Sequence, residues 1–163
     1  MARLILAAHL MKRIKPVVKN MFSDNVLIIF VKYPRAGFVK TRLAKEIGKK
    51  NASELYRLFV ETILARIKDK NFTRVIFYSS ISKRNEIKKW LGNNLVLCPQ
   101  RGKDLGERLS AAFRLAFRKG AKRVVVIGTD SPTLNKKLIL DAFEDLKDTE
   151  CVLGPAFDGG YYL

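Results

Sequence analysis

Short runs of branched apolar residues alternate along this chain with longer segments of helical period, and that alternation limits the fold more than any other feature. Val26–Lys32 (VLIIFVK) predicts a strand buried on both faces, because its apolar run is continuous rather than alternating. Asn51–Ile67 predicts a helix with Leu55, Leu58, Phe59, Ile63 and Ile67 on one face, and Asn51 with Glu54 has the spacing of a capping box. Arg74–Ser79 predicts a second strand. Lys83–Leu91 predicts a short helix with Ile87, Trp90 and Leu91 inward, stopped by Gly92. Leu95–Cys98 predicts a third strand. Leu105–Lys119 predicts a helix presenting Leu109, Ala112, Phe113, Ala116 and Phe117 to the core. Arg123–Gly128 predicts a fourth strand and Asn135–Leu146 a helix with Leu138, Ala142, Phe143 and Leu146 inward. Cys151–Leu153 is expected to begin a fifth strand. Strand–helix alternation of this kind implies an α/β domain: a mostly parallel sheet with helices on both faces, in three layers.

The chain has 163 residues, enough for one domain with a real core. A hydrophobic content of 48% with 29% charged residues places it among folded proteins rather than disordered ones. Residues 1–20 differ from the rest. They carry Arg3, Lys12, Arg13, Lys15 and Lys19 without an acid, and their apolar stretch Leu4–Met11 is too short to span a bilayer. We expect a basic, poorly ordered extension over residues 1–20 and a single domain over 21–163. Cys98 and Cys151 lie far apart without a CxxC or Cys/His neighbour, which disfavours zinc and suits reduced, mostly buried thiols of a cytoplasmic protein.

The formal net charge is +17, and +12 remains when residues 1–20 are set aside. Such a charge fits nucleic acid, a membrane surface or an anionic substrate. The lysines and arginines are scattered over helix faces, no basic stripe is interleaved with aromatics, and no recognised nucleic-acid motif occurs. A solvated basic surface is therefore expected, with neither nucleic acid nor membrane as partner.

In open α/β sheets ligands bind beyond the carboxyl ends of the strands, and the chemistry-bearing residues fall there. The first strand runs into a loop with Lys32, Arg35, Gly37, Lys40 and Arg42. Gln100, Asp104 and Arg108 follow the third strand, Thr129 and Asp130 the fourth, and Asp158, Gly159, Gly160 and Tyr161 the expected fifth. The first loop lacks the spacing of a Walker A motif, and no GxGxxG is present. What it offers is a cluster of cations suited to a diphosphate, with Arg42 able to bind in a bidentate way. Asp130 follows a run of Val and Ile, where a carboxylate needs a partner or a cation; Mg²⁺ or Mn²⁺ shared with substrate phosphates is one arrangement and helix capping another. Asp158 is a second candidate ligand, beside Gly159 and Gly160, whose backbone would admit an anion or simply form a turn. Asp104 is placed equally well to cap a helix or to contact a ribose. The sole histidine is His9, so a Ser-His-Asp or Cys-His apparatus is not available to the domain.

The segments IIFVKYPRAGFVKTRLA, QRGKDLGERL, GTDSPTL and LGPAFDGGYYL resemble the glycosyltransferase-like DUF2064 proteins of the GT-A superfamily, which are similar to molybdenum-cofactor guanylyltransferase and 2-phospholactate guanylyltransferase. The resemblance implies a nucleotide-diphospho-sugar transferase fold. It implies that Lys32, Arg35, Gly37, Lys40 and Arg42 bind nucleotide phosphates and that Gln100, Asp104 and Arg108 lie around base and ribose. Asp130 and Asp158 would be the catalytic and metal-binding acids, and Gly159, Gly160 and Tyr161 would face the acceptor. A divalent Mg²⁺ or Mn²⁺ is the implied cofactor, although Asp130-Ser131-Pro132 stands where many relatives carry DxD. The expected activity is glycosyl transfer from a nucleotide sugar to a small acceptor, with guanylyl transfer from an NTP as the alternative. A basic nucleic-acid-binding module and an inactive fragment are the readings from other classes. A homodimer is the assembly considered. The family continues past GGYYL, so truncation at the C-terminal end is also an expectation.

Overall fold

The computed structural model describes residues 21–79, 83–155, 161 and 163. The extension expected over residues 1–20 lies outside them. Four strands, β1 (Asn25–Val31), β2 (Thr73–Tyr78), β3 (Val96–Pro99) and β4 (Arg123–Ile127), form one parallel sheet in the order β3-β2-β1-β4. The helices are α1 (Ala44–Ile47), α2 (Lys49–Arg66), α3 (Arg84–Leu91), α4 (Leu105–Arg118) and α5 (Lys136–Asp145).

The centre of the sheet is β1, whose Val26, Leu27, Ile28, Ile29 and Val31 are all fully buried. Each such side chain contributes about 1.5–3 kcal/mol on burial, and a strand with helices on both sides has no face left for polar residues. Leu27, Ile29 and Val31 point to one face with Ile76, Val125 and Ile127, where Tyr56, Val60 and Ile63 of α2 and Ile139, Ala142 and Phe143 of α5 cover them. Val26 and Ile28 point to the other face with Val75, Phe77 and Val124, packed on Ala112 and Ala116 of α4. Three layers result, as the strand–helix alternation requires.

Several details depart from the sequence expectations. The buried stripe of α2 and its end runs through Ala52, Tyr56, Val60, Ile63 and Ile67, while Leu58 is 58% exposed. Positions 52, 56, 60, 63 and 67 fall on one face at helical spacing, and Leu58 lies on the other side. The capping box does not form: the residue before α2 is Gly48, and the Asn51 side chain instead donates to the Ile47 carbonyl of α1. In α5 and α4, Ile139 replaces Leu138 as the inward residue and Phe117 is 49% exposed. Cys151–Leu153 forms no strand. The amide of Gly154 donates to the Leu163 carbonyl and Pro155 bridges Tyr161 in antiparallel fashion, so this segment pairs with nearby chain rather than joining the sheet. Cys151 is accordingly exposed, not buried, whereas Cys98 is half-buried and its thiol is pushed up by burial.

Candidate functional site

The sheet order places the functional loops. From β1 the chain moves to β2 and β3 on one side, then returns through α4 to lay β4 on the other side of β1. The C-terminal ends of β1 and β4 therefore mark the topological switch, where crossovers diverge and where open α/β sheets take their ligands, hereafter the β1/β4 crevice.

At this point β1 outruns its neighbour. Its pairing with β4 ends at Ile29↔Ile127, while its pairing with β2 continues to Val31↔Tyr78. The Val31 carbonyl accepts from Ser79 on the β2 side, so by alternation the Phe30 carbonyl and the Lys32 amide face the side that β4 has left. Hydroxyls take the place of the missing ladder bonds. The Lys32 amide donates to the Tyr56 phenol at 2.9 Å, the phenol meets the Thr129 hydroxyl at 3.1 Å, and that hydroxyl donates to the Phe30 carbonyl at 3.4 Å. Tyr56 and Thr129 are both buried. Burial, above all, raises the Tyr56 pKa, against the opposing pull of Thr129 and the Lys32 amide, which keeps the phenol neutral.

Asp130 follows Thr129 directly. Its carboxylate, 81% exposed, accepts from the Lys40 ammonium at 2.9 Å, so the pair joins the first loop to the fourth-strand loop. Lys40 is the inward partner. Its side chain is 22% exposed and lies 5.1 Å from the centre of the Phe59 ring. Lys40 is also the one described non-glycine residue with positive φ, at 47°. That left-handed conformation costs about 1–2 kcal/mol for an ordinary side chain. It follows buried Val39 and a turn opened by Gly37, whose φ is 82°. A lysine held in strained backbone, with an apolar anchor before it and an acid facing it, has a fixed position rather than a freely swinging one.

The other expected phosphate ligands are less fixed. Lys32 and Arg42 are exposed, and the Arg35 guanidinium lies 4.4 Å over the exposed Phe38 ring. Tyr33 in the same loop meets Trp90 of α3 edge-on, with centroids 6.5 Å apart. Trp90 in turn donates to Glu61 of α2 at 2.7 Å, and Arg57 donates to the same carboxylate oxygen at 2.8 Å. The hydrogen bonds from Arg57 and then from Trp90 hold the Glu61 carboxyl below its usual range. This cluster supports the first loop from outside.

The loop after β3 has a different character. Gln100 donates from its amide to Tyr78 and from its side chain to the Phe77 carbonyl at 2.8 Å. Asp104 caps α4, accepting from the Glu107 amide at 2.8 Å, and the Glu107 carboxylate accepts from the Lys103 amide at 2.8 Å. Arg108 donates from Nε to the Gly102 carbonyl at 3.0 Å. Gly102, with φ at 139°, lies so close to α4 that a Cβ would stand 2.7 Å from the Arg108 amide nitrogen. A concavity of about 490 Å³ beside it is lined by Arg101, Gly102, Gly106, Glu107, Ser110, Ala111 and Arg114. Of the expected base- and ribose-facing trio, then, Gln100 is tied to the end of β2, and Asp104 and Arg108 are engaged within their own loop and helix start.

Asp158, Gly159 and Gly160 lie outside the described residues, and Tyr161 is exposed. Among the described residues, no group of three or more His, Cys, Asp or Glu side chains is placed to hold a metal ion. No described helix is long and apolar enough to cross a membrane.

Residues 62–163 match the family described as "Uncharacterized protein conserved in bacteria (DUF2064)". The chain belongs to that family. It also superposes on a crystal structure from Desulfovibrio desulfuricans G20, of a protein provisionally named a nucleotide-diphospho-sugar transferase. The TM-score is 0.83 at 39% identity, over 86% of this chain and 62% of that one. The chain thus spans less than two thirds of that relative's length. No curated protein matches it. This DUF2064 chain has the fold of that transferase, with its parallel sheet and flanking helices.

Sequence reasoning missed Tyr56 and gave Thr129 no more than a place in a loop. The signal was present. A tyrosine in the stripe Ala52-Tyr56-Val60-Ile63-Ile67 must bury a hydroxyl, and a buried phenol needs a partner.

Proposed function

We propose that this DUF2064 chain is a nucleotide-dependent transferase of GT-A type. Its donor phosphates lie at the β1/β4 crevice. The observation that carries this reading is Lys40, held by strained backbone across the switch point from Asp130. An ion pair with an 81% exposed partner stabilises the fold by little, because water screens it. The strain at Lys40 is therefore better accounted for by a ligand than by the pair itself. A diphosphate offers Lys40 a stronger acceptor than one solvated carboxylate, and Lys32, Arg35 and Arg42 stand in the same loop to share the charge.

The chemistry is charge neutralisation and positioning. As a diphosphate leaves the donor, negative charge builds on its bridging oxygen, and a fixed Lys40 stabilises that charge without having to reorganise. Glycosyl transfer from a nucleotide sugar to a small acceptor is the form we favour, and guanylyl transfer to a phosphorylated small molecule uses the same cradle. The donor set is compatible with Mg²⁺ or Mn²⁺ only as part of a shell. Asp130 would supply one hard oxygen and substrate phosphates others, which is the common arrangement for these ions. When bound, such an ion would neutralise phosphate charge; Asp130 would hold it, and Lys40 would turn to the phosphates.

The relative's provisional name as a nucleotide-diphospho-sugar transferase supports the class. A thermal-shift panel of nucleotides and nucleotide sugars, with and without Mn²⁺, tests it, because a ligand that binds the folded state raises the melting temperature. Stabilisation by nucleoside diphosphates or their sugars is expected, and no shift with any member removes the reading. With turnover, release of nucleoside diphosphate identifies glycosyl transfer and release of pyrophosphate identifies nucleotidyl transfer.

A further inference from the structure

We infer that Tyr56 is a positioning residue whose hydroxyl, with that of Thr129, sets the two walls of the β1/β4 crevice against each other. This inference rests on the reading of that crevice as the nucleotide site.

The direction of every proton in the circuit follows from the groups present. The Lys32 amide has only a hydrogen to give, so the phenol oxygen accepts it. The Phe30 carbonyl has only lone pairs, so the Thr129 hydroxyl donates to it. The hydrogen of Thr129 being committed, its oxygen accepts the phenol hydrogen across the 3.1 Å contact. The circuit reads Lys32 amide to Tyr56 to Thr129 to Phe30 carbonyl. It starts and ends on the same strand, two residues apart, at the backbone groups that β4 no longer pairs.

The circuit has a consequence for the walls. Lys32 opens the loop that carries Lys40, and Thr129 immediately precedes Asp130. Tyr56 holds both from a third element, α2, whose Val60 and Ile63 are fully buried against the sheet. A strand end that splays from its neighbour would ordinarily leave both loops to solvent. Here a phenol anchored in the core fixes where each begins. Tyr56 need not touch the substrate; it acts through Lys32 and Thr129. Phenylalanine at this position keeps the ring and its packing and removes only the oxygen that joins the two loops.

The test uses the full-length chain and three variants: Tyr56→Phe, Thr129→Val and Thr129→Ser. Amide hydrogen exchange is read at Lys32 against Val31, and affinity is read by calorimetry with GDP and UDP as probes. Tyr56→Phe should speed exchange at Lys32 about tenfold, the loss of one hydrogen bond, while leaving Val31 slow. Tyr56→Phe and Thr129→Val should each weaken nucleotide binding about tenfold, and Thr129→Ser should retain wild-type affinity because it keeps the hydroxyl. A merely structural role would lower the melting temperature and leave affinity unchanged in the folded variants, and that outcome overturns the inference. Slow exchange at Lys32 in Tyr56→Phe overturns it as well. Should Tyr56→Phe fail to fold, the Thr129 pair decides by the same affinity criterion. If the wild-type chain binds neither of these nor any other member of the nucleotide panel, the nucleotide reading fails on its own, and exchange at Lys32 still decides whether the tether exists.

Discussion

Two polar loops leave the same edge of the sheet, both built on Lys, Arg and Gly, yet they use their polar groups in opposite ways. Past Gln100, which bonds the end of β2, the loop before α4 meets its needs within itself. Asp104 bonds Glu107, Glu107 bonds Lys103, and Arg108 bonds Gly102, all within six residues. The first loop does the reverse. Its partners are remote in sequence: Lys40 reaches Asp130, and the Lys32 amide reaches Tyr56. Local bonds build a cap, whereas remote ones hold groups in place that the local chain has no need of. The difference separates a structural turn from a ligand site better than composition does.

The sharpest test of the structural half is Gly102→Ala. Positive φ and a backbone contact at 2.7 Å leave a Cβ nowhere to go, and the atoms it meets belong to the α4 backbone and to the first carbon of the Glu107 side chain. A destabilisation of about 3 kcal/mol is expected, from strain and overpacking together. Denaturant unfolding measures it. Nucleotide affinity at a temperature where the variant is folded should change little; a large loss would move the ligand site onto this loop.

The opposite signature is expected at Lys40. Lys40→Ala should weaken nucleotide binding at least tenfold, about the loss of one charge-assisted hydrogen bond. Lys40→Gly removes the same charge and also relieves the left-handed strain, so it should bind as poorly while gaining about 1 kcal/mol of stability. A stabilised protein that no longer binds would show that the strain serves the ligand. A Lys40→Gly variant that keeps full affinity would dissolve the contrast between the loops.

How far this contrast was legible in sequence differs by level. The run Val26–Val31 and the helical periods revealed an α/β domain with a parallel sheet because continuous apolar strands and amphipathic helices leave period and composition in the chain. The strand expected to begin at Cys151–Leu153 does not form there, since three residues carry too little period to fix one, and the first pairing comes only at Gly154 and Pro155. The loops after β1, β3 and β4 leave one edge, because a parallel sheet puts the carboxyl ends of its strands together; the loop with Asp158 lies outside the described residues. What was not legible was which charges are spent locally. Asp104 as cap and Asp104 as ribose ligand have the same sequence, and only the 2.8 Å bond to Glu107 decides that it caps. Tyr56 was legible only in part. Its place in the buried stripe announces a hydroxyl that needs a partner, but which partner it finds depends on β1 outrunning β4, a matter of register that no local pattern encodes.

Asp104→Ala gives the next smaller effect. Loss of an N-cap costs about 1 kcal/mol, and stability should fall by that amount with affinity retained. Loss of affinity in a variant of near wild-type stability would give Asp104 a ligand role besides the cap, and the loop before α4 would cease to be purely structural.

The weakest expected effect concerns the outer support of the first loop. Glu61 accepts from Arg57 and Trp90, and Trp90 packs on Tyr33. The folded-state pKa of Glu61 is lowered, first by Arg57 and then by Trp90. The unfolded chain therefore takes up a proton at Glu61 before the folded chain does. The stabilisation is complete well above the ordinary carboxyl value of 4.5 and is lost as pH falls through that value and then through the lower folded one. Asp69 and Glu86 are shifted in the same direction, so the informative quantity is the difference between wild type and Glu61→Gln. Glutamine keeps an acceptor for Trp90 and loses the charge. With the carboxylate 43% exposed, the difference at neutral pH should be only about 0.3–0.5 kcal/mol. It should vanish toward pH 3, where chemical denaturation of both proteins can be compared. Nucleotide affinity separates the two supports of the loop. If the buried phenol sets the loop, Glu61→Gln binds as wild type does, because Tyr33 is held outside the circuit that fixes Lys32. If Glu61→Gln weakens binding as much as Tyr56→Phe, the loop is aligned from its exposed side, and remote bonding in the core is not what distinguishes it from the loop before α4.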